Sequence, residues 1–288
     1  MGTSGTSGTS GTSGAAGAAG AAGAAGAAGA AGAAGAAGAA GTIVVTGGTG
    51  TLGSLVAERL RAAGHEVRVL SRHAPDHPVD LRDGTGLDAA LAGAEVIVHC
   101  ASNTRGAGRG DDVAAGHLIE AARRAGTVRN IVYISIVGVD VVPLGYYRRK
   151  LRVERLLETS GLGVTILRTT QFHDLVAMLT DAMAKLPVVP VPKGVPVQPI
   201  AVGEVADRMA ELAVPTPSGR VPDMGGPQIR SLPDLARVHL RATGRNRRVL
   251  PLPLPGKAYA AFRRGGHLTP SHAVGHETFD QFSARRGR

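Results

Sequence analysis

The sequence predicts an α/β protein: a doubly wound parallel sheet with a small C-terminal substrate-side lobe. Short apolar runs rich in β-branched residues recur between Thr42 and Arg168, and amphipathic helical patterns fall between them. Strand and helix patterns alternate six times at a spacing of roughly 25 to 30 residues, the signature of a parallel sheet with helical crossovers. A glycine-rich turn joins the first strand pattern directly to the first helix pattern.

The elements are expected in this order. Thr42 to Thr46 (Thr-Ile-Val-Val-Thr) reads as a buried parallel strand. Leu52, Leu55, Val56 and Leu60 share one helical face, and Gly64 closes that helix. Strands are predicted at Val67–Leu70, at Val79–Leu81, at Glu95–Cys100, at Asn130–Ile136 and at Val164–Arg168. A short helix holding Leu87 and Leu91, a helix from Val113 to Arg124 and one from Tyr146 to Thr159 lie between them. Beyond Gln171 prolines crowd the chain from Pro187 to Pro199. Helices are expected again near Gly203–Val214 and Leu232–Ala242.

Residues 2–41 stand apart. They repeat with a period of three, Gly-Thr-Ser and then Gly-Ala-Ala. Glycine at every third place suggests collagen, but the stretch has no proline, no charge and no large apolar side chain. Such a chain cannot bury enough surface to offset the entropy of ordering it. Residues 1–41 are therefore expected to be a disordered linker or tag. Residues 42–172 are expected to form the dinucleotide-binding core, and residues 173–288 a substrate-side region packed on the same domain.

The net charge of +10 is concentrated at one end. From Arg230 onward there are 12 Lys/Arg against 3 Asp/Glu, whereas residues 42–229 hold 20 against 19. With no tryptophan, few aromatics and no zinc-finger spacing, a nucleic-acid partner is not expected, and the excess reads as a solvated face. The single cysteine, Cys100, allows neither an internal disulfide nor a cysteine-based metal site, so no metal is expected. No apolar run reaches the length of a membrane span and no signal peptide is recognisable. A cytoplasmic location is therefore expected. Oligomeric state is not legible.

Gly47, Gly50 and Gly53 are spaced Gly-x-x-Gly-x-x-Gly between the first strand and helix, the phosphate-loop position of a Rossmann fold. Missing side chains let backbone N–H groups approach a diphosphate, and the helix N-terminus faces it with its positive end. Thr49, Gly50, Thr51, Leu52 and Gly53 are the expected contacts. At the end of the second strand, Leu70-Ser71-Arg72 offers no carboxylate to hold a ribose hydroxyl. Arg72 instead supplies a planar fork suited to a 2′-phosphate, with Ser71 beside it, so NADP(H) is expected in preference to NAD(H). Ala101 and Ser102, after the Glu95–Cys100 strand, should lie against the cofactor ribose.

Tyr146 and Lys150 are four residues apart and share a helix face, and Ser135 ends the strand before them. The glycine string and this trio resemble those of short-chain dehydrogenase/reductases. Thr-Gly-Gly-Thr-Gly-Thr-Leu-Gly (Thr46 to Gly53) is similar to the atypical, NmrA-like branch of that family. Tyr-Ile-Ser-Ile-Val-Gly-Val-Asp (Tyr133 to Asp140), Tyr-Tyr-Arg-Arg-Lys-Leu (Tyr146 to Leu151) and Leu-Arg-Thr-Thr-Gln-Phe-His (Leu167 to His173) carry the likeness further. The resemblance implies that Lys150 binds the nicotinamide ribose, Tyr146 delivers a proton and Ser135 positions the substrate oxygen. It also places an adenine contact at Asp80 and Leu81. Tyr147, Gln171, Phe172 and His173 would border a small-molecule substrate, by the rule that ligands sit at strand carboxyl ends. The expected function is an NADPH-dependent oxidoreductase of a small carbonyl or quinone. A non-catalytic, redox-sensing NADP(H)-binding regulator is the alternative, and a nucleotide-sugar epimerase-like enzyme the third.

Overall fold

A computed structural model describes residue 2 and residues 41–72, 74 and 76–287. The expectation for residues 1–41 therefore lies almost wholly outside the described residues. Residues 41–287 fall within one compact unit.

The elements run β1 (Thr42–Thr46), α1 (Thr51–Ala62), β2 (Glu66–Leu70), α2 (Leu87–Leu91), β3 (Val96–His99), α3 (Asp111–Ala125), β4 (Asn130–Ile136), α4 (Gly145–Glu158), β5 (Val164–Thr169), α5 (His173–Met183), β6 (Val188–Pro192), β7 (Pro196–Val197), α6 (Val202–Ala213), β8 (Gly219–Arg220), β9 (Arg230–Ser231), α7 (Leu232–Ala242), β10 (Arg248–Leu252), α8 (Lys257–Arg263) and α9 (Phe279–Arg286). The central sheet has the order β2-β1-β3-β4-β5-β8 and every pairing in it is parallel.

The two-residue period of the strands divides the core. Ile43, Val45, Val96, Val98, Val132, Ile134 and Leu167 face α1 and α6. Val44, Ile97, Ile131, Tyr133, Val164 and Ile166 face α2, α3 and α4. Two faces of buried Val and Ile, each covered by helices, explain why these strands read as continuous apolar runs.

One sequence expectation is corrected here. Val79–Leu81 is not a strand of the sheet: the segment makes only isolated bridges, Ser71 to Pro78 and Asp80 to Thr85. The sixth strand is β8, beyond β5. Beyond residue 172, α6 and β8 pack into the sheet's own layers. What remains of the C-terminal part forms a smaller apolar centre of Val176, Val197, Leu235, Phe279 and Phe282, with the pairs β6–β10 and β7–β9 at its margin.

Buried histidines make the fold acid-sensitive. Burial drives the imidazole of His99 down to about 3 and that of His267 to about 4, and it lowers His173 as well. Each stays neutral in the folded chain and titrates normally once unfolded. Below pH 6.5 the unfolded state therefore binds more protons, and stability falls as pH drops toward the folded values. Between pH 7 and 5 the loss should be about 2 kcal/mol for each of His99 and His267. Urea unfolding at the two pH values checks this, and equal midpoints would contradict it.

Candidate functional site: a dinucleotide cleft at the strand ends

The loop between β1 and α1 leaves the carboxyl end of β1 and meets the exit of β3 and Val69 of β2. Gly47 has φ of +66°, which turns the chain out of the strand. A Cβ there would lie 2.8 Å from the Ala101 backbone, so β3's exit packs directly on the turn. The Gly50 amide donates to the Gly47 carbonyl at 2.9 Å, closing the loop. At Gly53 a Cβ would lie 2.3 Å from that same carbonyl oxygen, so any side chain would force helix and loop apart. Helix α1 starts at Gly50 with no side-chain cap and no acidic residue in its first turn. Its first amides thus lack the partners that usually satisfy a helix start. Thr49, Gly50 and Thr51 are exposed beside them, while the Leu52 side chain is buried in the core and contributes only backbone. Uncapped amides at a helix start beside bare glycines are the polarity that suits a diphosphate.

Arg72 is exposed just beyond β2, near enough to Asp80 to act on its charge. Ser71 is bridged to Pro78, and its carbonyl accepts from the Ala74 and Val79 amides. The Asp80 carboxylate is engaged by Arg82: the backbone N–H and Nε both donate at 3.0 Å. Those hydrogen bonds pull Asp80 down to about 2. The Leu81 carbonyl meets His117 Nδ1 at 3.1 Å. An adenine contact through the Asp80 side chain would have to displace Arg82.

Beneath the cleft, the Thr46 hydroxyl accepts from the Ala101 amide at 3.3 Å and meets His99 Nδ1 at 2.7 Å. His99 stacks on Tyr133 at 5.3 Å, and Lys150 Nζ lies 4.3 Å over that ring. Lys150 donates to the Ile134 carbonyl at 2.8 Å. It is only 4 % exposed, and desolvation brings its ammonium down to about 8. Tyr146, half-buried, meets Ser102 Oγ at 3.1 Å. Burial raises its phenol above the ordinary value.

Ser135 and His173 are both buried. Ser135 Oγ is unpartnered among the described residues. Two residues beyond Tyr133 on β4, it shares that ring's face, toward α3 and α4. His173 is fully buried between Phe279 and Phe282, and its Nε2 meets the Glu277 carbonyl at 3.0 Å. It is a core residue of the C-terminal lobe. Gln171 and Tyr147 are brought together: Gln171 Nε2 donates to the Tyr147 hydroxyl at 3.1 Å. Tyr147 is also buried edge-on against Phe262, and Phe172 packs on the core beside α1 and α6.

The structure adds groups that the sequence left unremarked. Arg168 on β5 makes a bidentate pair with Glu154 of α4, at 2.9 and 2.6 Å, and a third bond to Asp140 at 2.8 Å. This cluster ties the helix of Tyr146 and Lys150 to the sheet. Asp111, the first residue of α3, accepts from Ser102 Oγ at 2.6 Å. Its only sequence signal is an acid that opens a helix after Gly106, Gly108 and Gly110. Among the described residues no three or more His, Cys, Asp or Glu side chains are grouped to hold a metal ion. None of their helices is long and apolar enough to cross a membrane.

Comparisons with known proteins follow this geometry. Quinone oxidoreductase 2 of Escherichia coli is 30 % identical over 147 residues, 46 % of this chain and 49 % of that protein. An uncharacterized protein of Mycobacterium tuberculosis is 34 % identical over 131 residues, 42 % of this chain and 14 % of that protein. The matches thus span about half of one relative and about a seventh of the other. Among solved structures, the E. coli NADPH-dependent quinone oxidoreductase complexed with NADPH superposes with a TM-score of 0.68 at 21 % identity, over 85 % of this chain and 99 % of that one. A nucleoside-diphosphate-sugar epimerase of Staphylococcus aureus gives 0.69 at 18 %, over 84 % and 99 %. The triphenylmethane reductase of Citrobacter sp. complexed with NADP(H) gives 0.64 at 19 %, over 86 % and 100 %. At these identities the structures share the fold. A collagen triple helix repeat profile matches residues 1–56, following glycine at every third place; the stretch from Thr42 to Thr46 is nonetheless strand β1, and α1 begins at Thr51. The NAD(P)H-binding profile matches residues 47–213, more than half of the 288 residues and all of the cleft just described. In keeping with its likeness to the NmrA-like, atypical short-chain dehydrogenase/reductases, the protein belongs to the NAD(P)H-binding family.

Proposed function

We propose that the protein is an NADPH-dependent oxidoreductase acting on a small carbonyl or quinone. The observation that carries this reading is the position of Tyr146 and Lys150. On α4, Tyr146 meets Ser102 just beyond β3 and Lys150 meets the Ile134 carbonyl of β4, while the chain leaving β3 packs at Ala101 on the Gly47 turn. When bound, the nicotinamide dinucleotide would supply the hydride. The loop amides would hold its diphosphate, and Lys150, on leaving the Ile134 carbonyl, would hold its nicotinamide ribose. Tyr146 would hold the proton that a reduced carbonyl oxygen takes up. Ala101 and Ser102 would line the ribose, with Gln171 and Tyr147 on the substrate side.

Consumption of NADPH against a panel of quinones and aldehydes tests the reading, with Lys150→Ala in parallel. Turnover lost in the variant is expected. Tight cofactor binding without turnover on any acceptor would favour the non-catalytic regulator.

The NADP(H) preference rests on Arg72 and on the lack of a carboxylate at the end of β2. Arg72→Ala should remove about 1.5–3 kcal/mol of NADPH affinity, roughly tenfold or more, through the lost charged hydrogen bonds to phosphate. NADH affinity should change little. Equal losses for both dinucleotides, measured by calorimetry, would overturn the assignment.

A further inference from the structure

The loop between β3 and α3 closes over Tyr146. Gly108 has φ of +76°, and a Cβ there would lie 2.9 Å from Tyr146 Cδ2, so the ring rests on bare backbone. Asn103 shapes the loop by accepting from the Gly106 amide at 2.9 Å and donating to the Arg109 carbonyl at 3.1 Å. Arg149 of α4 donates to the Ala107 carbonyl at 2.9 Å, which fastens the loop to the helix that carries Tyr146.

Inside this enclosure the hydrogen bonds have one consistent direction. An ionised carboxylate only accepts, so Asp111 Oδ2 takes the proton of Ser102 Oγ at 2.6 Å. The other carboxylate oxygen accepts from the Asn103 amide at 2.9 Å. Ser102 has no second proton to give, so its oxygen accepts from the Tyr146 hydroxyl at 3.1 Å. Lys150 is turned elsewhere, onto the Ile134 carbonyl and the Tyr133 ring. Asp111 retains 8 % exposure.

We propose that Ser102 and Asp111 form a proton relay to Tyr146, with Asp111 as the port to solvent. The relay rests on the reading of Tyr146 as proton donor. In carbonyl reduction the Tyr146 O–H bond breaks and its proton forms the new O–H bond of the product. The resting bonds run from Tyr146 through Ser102 to Asp111, so both reverse during the step: Asp111 takes up a proton from solvent, Ser102 turns its hydroxyl proton onto the Tyr146 oxygen, and the Asp111 proton replaces it on Ser102. One solvent proton enters per two-electron reduction, which balances the hydride delivered to carbon. Ser102 and Asp111 are positioning residues in this scheme, because they act through Tyr146.

The charged and titratable groups that face Tyr146 are Asp111 from α3, Tyr133 from β4 and Tyr147 from its own helix, and Lys150 in turn faces Asp111. Asp111→Asn and Ser102→Ala should each lower kcat at least tenfold and shift its pH profile. That loss is smaller than the roughly 10²–10⁴ of a lost general acid. In Asp111→Asn the Kd for NADPH should stay within about threefold, since Asp111 touches neither the diphosphate loop nor the ribose side. Ser102→Thr, which keeps the hydroxyl, should recover turnover relative to Ser102→Ala. Unchanged kcat and pH profile in both Asp111→Asn and Ser102→Ala would overturn the relay.

A second readout needs no turnover. Ultraviolet titration of tyrosinate, with Tyr146→Phe subtracted, isolates the Tyr146 step. Removing the Asp111 charge in Asp111→Asn should move that step to lower pH. A midpoint that does not move would overturn the relay even if no acceptor is reduced. A shifted midpoint without turnover would keep the Tyr146–Asp111 coupling while the oxidoreductase reading fails.

Discussion

Glu154→Ala is expected to cost about 3–5 kcal/mol of stability, the usual result of removing one partner from a buried ion pair. Glu154 is 1 % exposed and Arg168 3 % exposed, so the orphaned guanidinium would be left in the core. Its bond to Asp140 survives, which places the loss toward the lower end. The double change to methionine at Glu154 and Arg168 should cost less than the single one, because no uncompensated charge remains. Urea unfolding of the three proteins measures this. A single variant as stable as the wild type would show that α4 is held by its apolar face alone, through Val153 and Leu157.

Tyr146→Phe is expected to lower kcat by about 10²–10⁴, the contribution of a positioned general acid. NADPH affinity should be retained, because the phenol oxygen meets Ser102 and not the glycine loop. Lys150→Ala should lose both turnover and part of the cofactor affinity. If Tyr146→Phe kept the wild-type kcat on an acceptor that the protein reduces, the proton would have to come from another group.

The parts of the site that were legible in the sequence are those set by local rules. A β-branched strand, three glycines and an amphipathic helix follow one another within Thr42–Ala62, so loop and helix start could be placed without knowing the rest of the chain. Tyr146 and Lys150 share a face by helical period alone. What was missed depends on pairing at a distance. Gly219 and Arg220 have no apolar alternation, and only parallel pairing with Thr165 and Ile166 makes them the sheet's edge. Val79 and Leu81 do alternate, but the Asp80 amide between them closes a local turn onto the Thr85 carbonyl and the Val79 amide turns to the Ser71 carbonyl. His173 is buried by phenylalanines more than a hundred residues later in the chain. The two-residue period alone puts Ser135 on the face of Tyr133, toward α3 and α4. Asp111 and its bond to Ser102 needed the folded loop, since nothing in residues 103–110 fixes where that loop returns.

Calorimetric titration of NADPH into the purified protein bears most directly on the central idea, that the amides freed by Gly47, Gly50 and Gly53 receive a dinucleotide diphosphate. Saturable one-to-one binding, tighter for NADPH than for NADH, is the expected result. Absence of any heat of binding with either dinucleotide at millimolar concentration would contradict it.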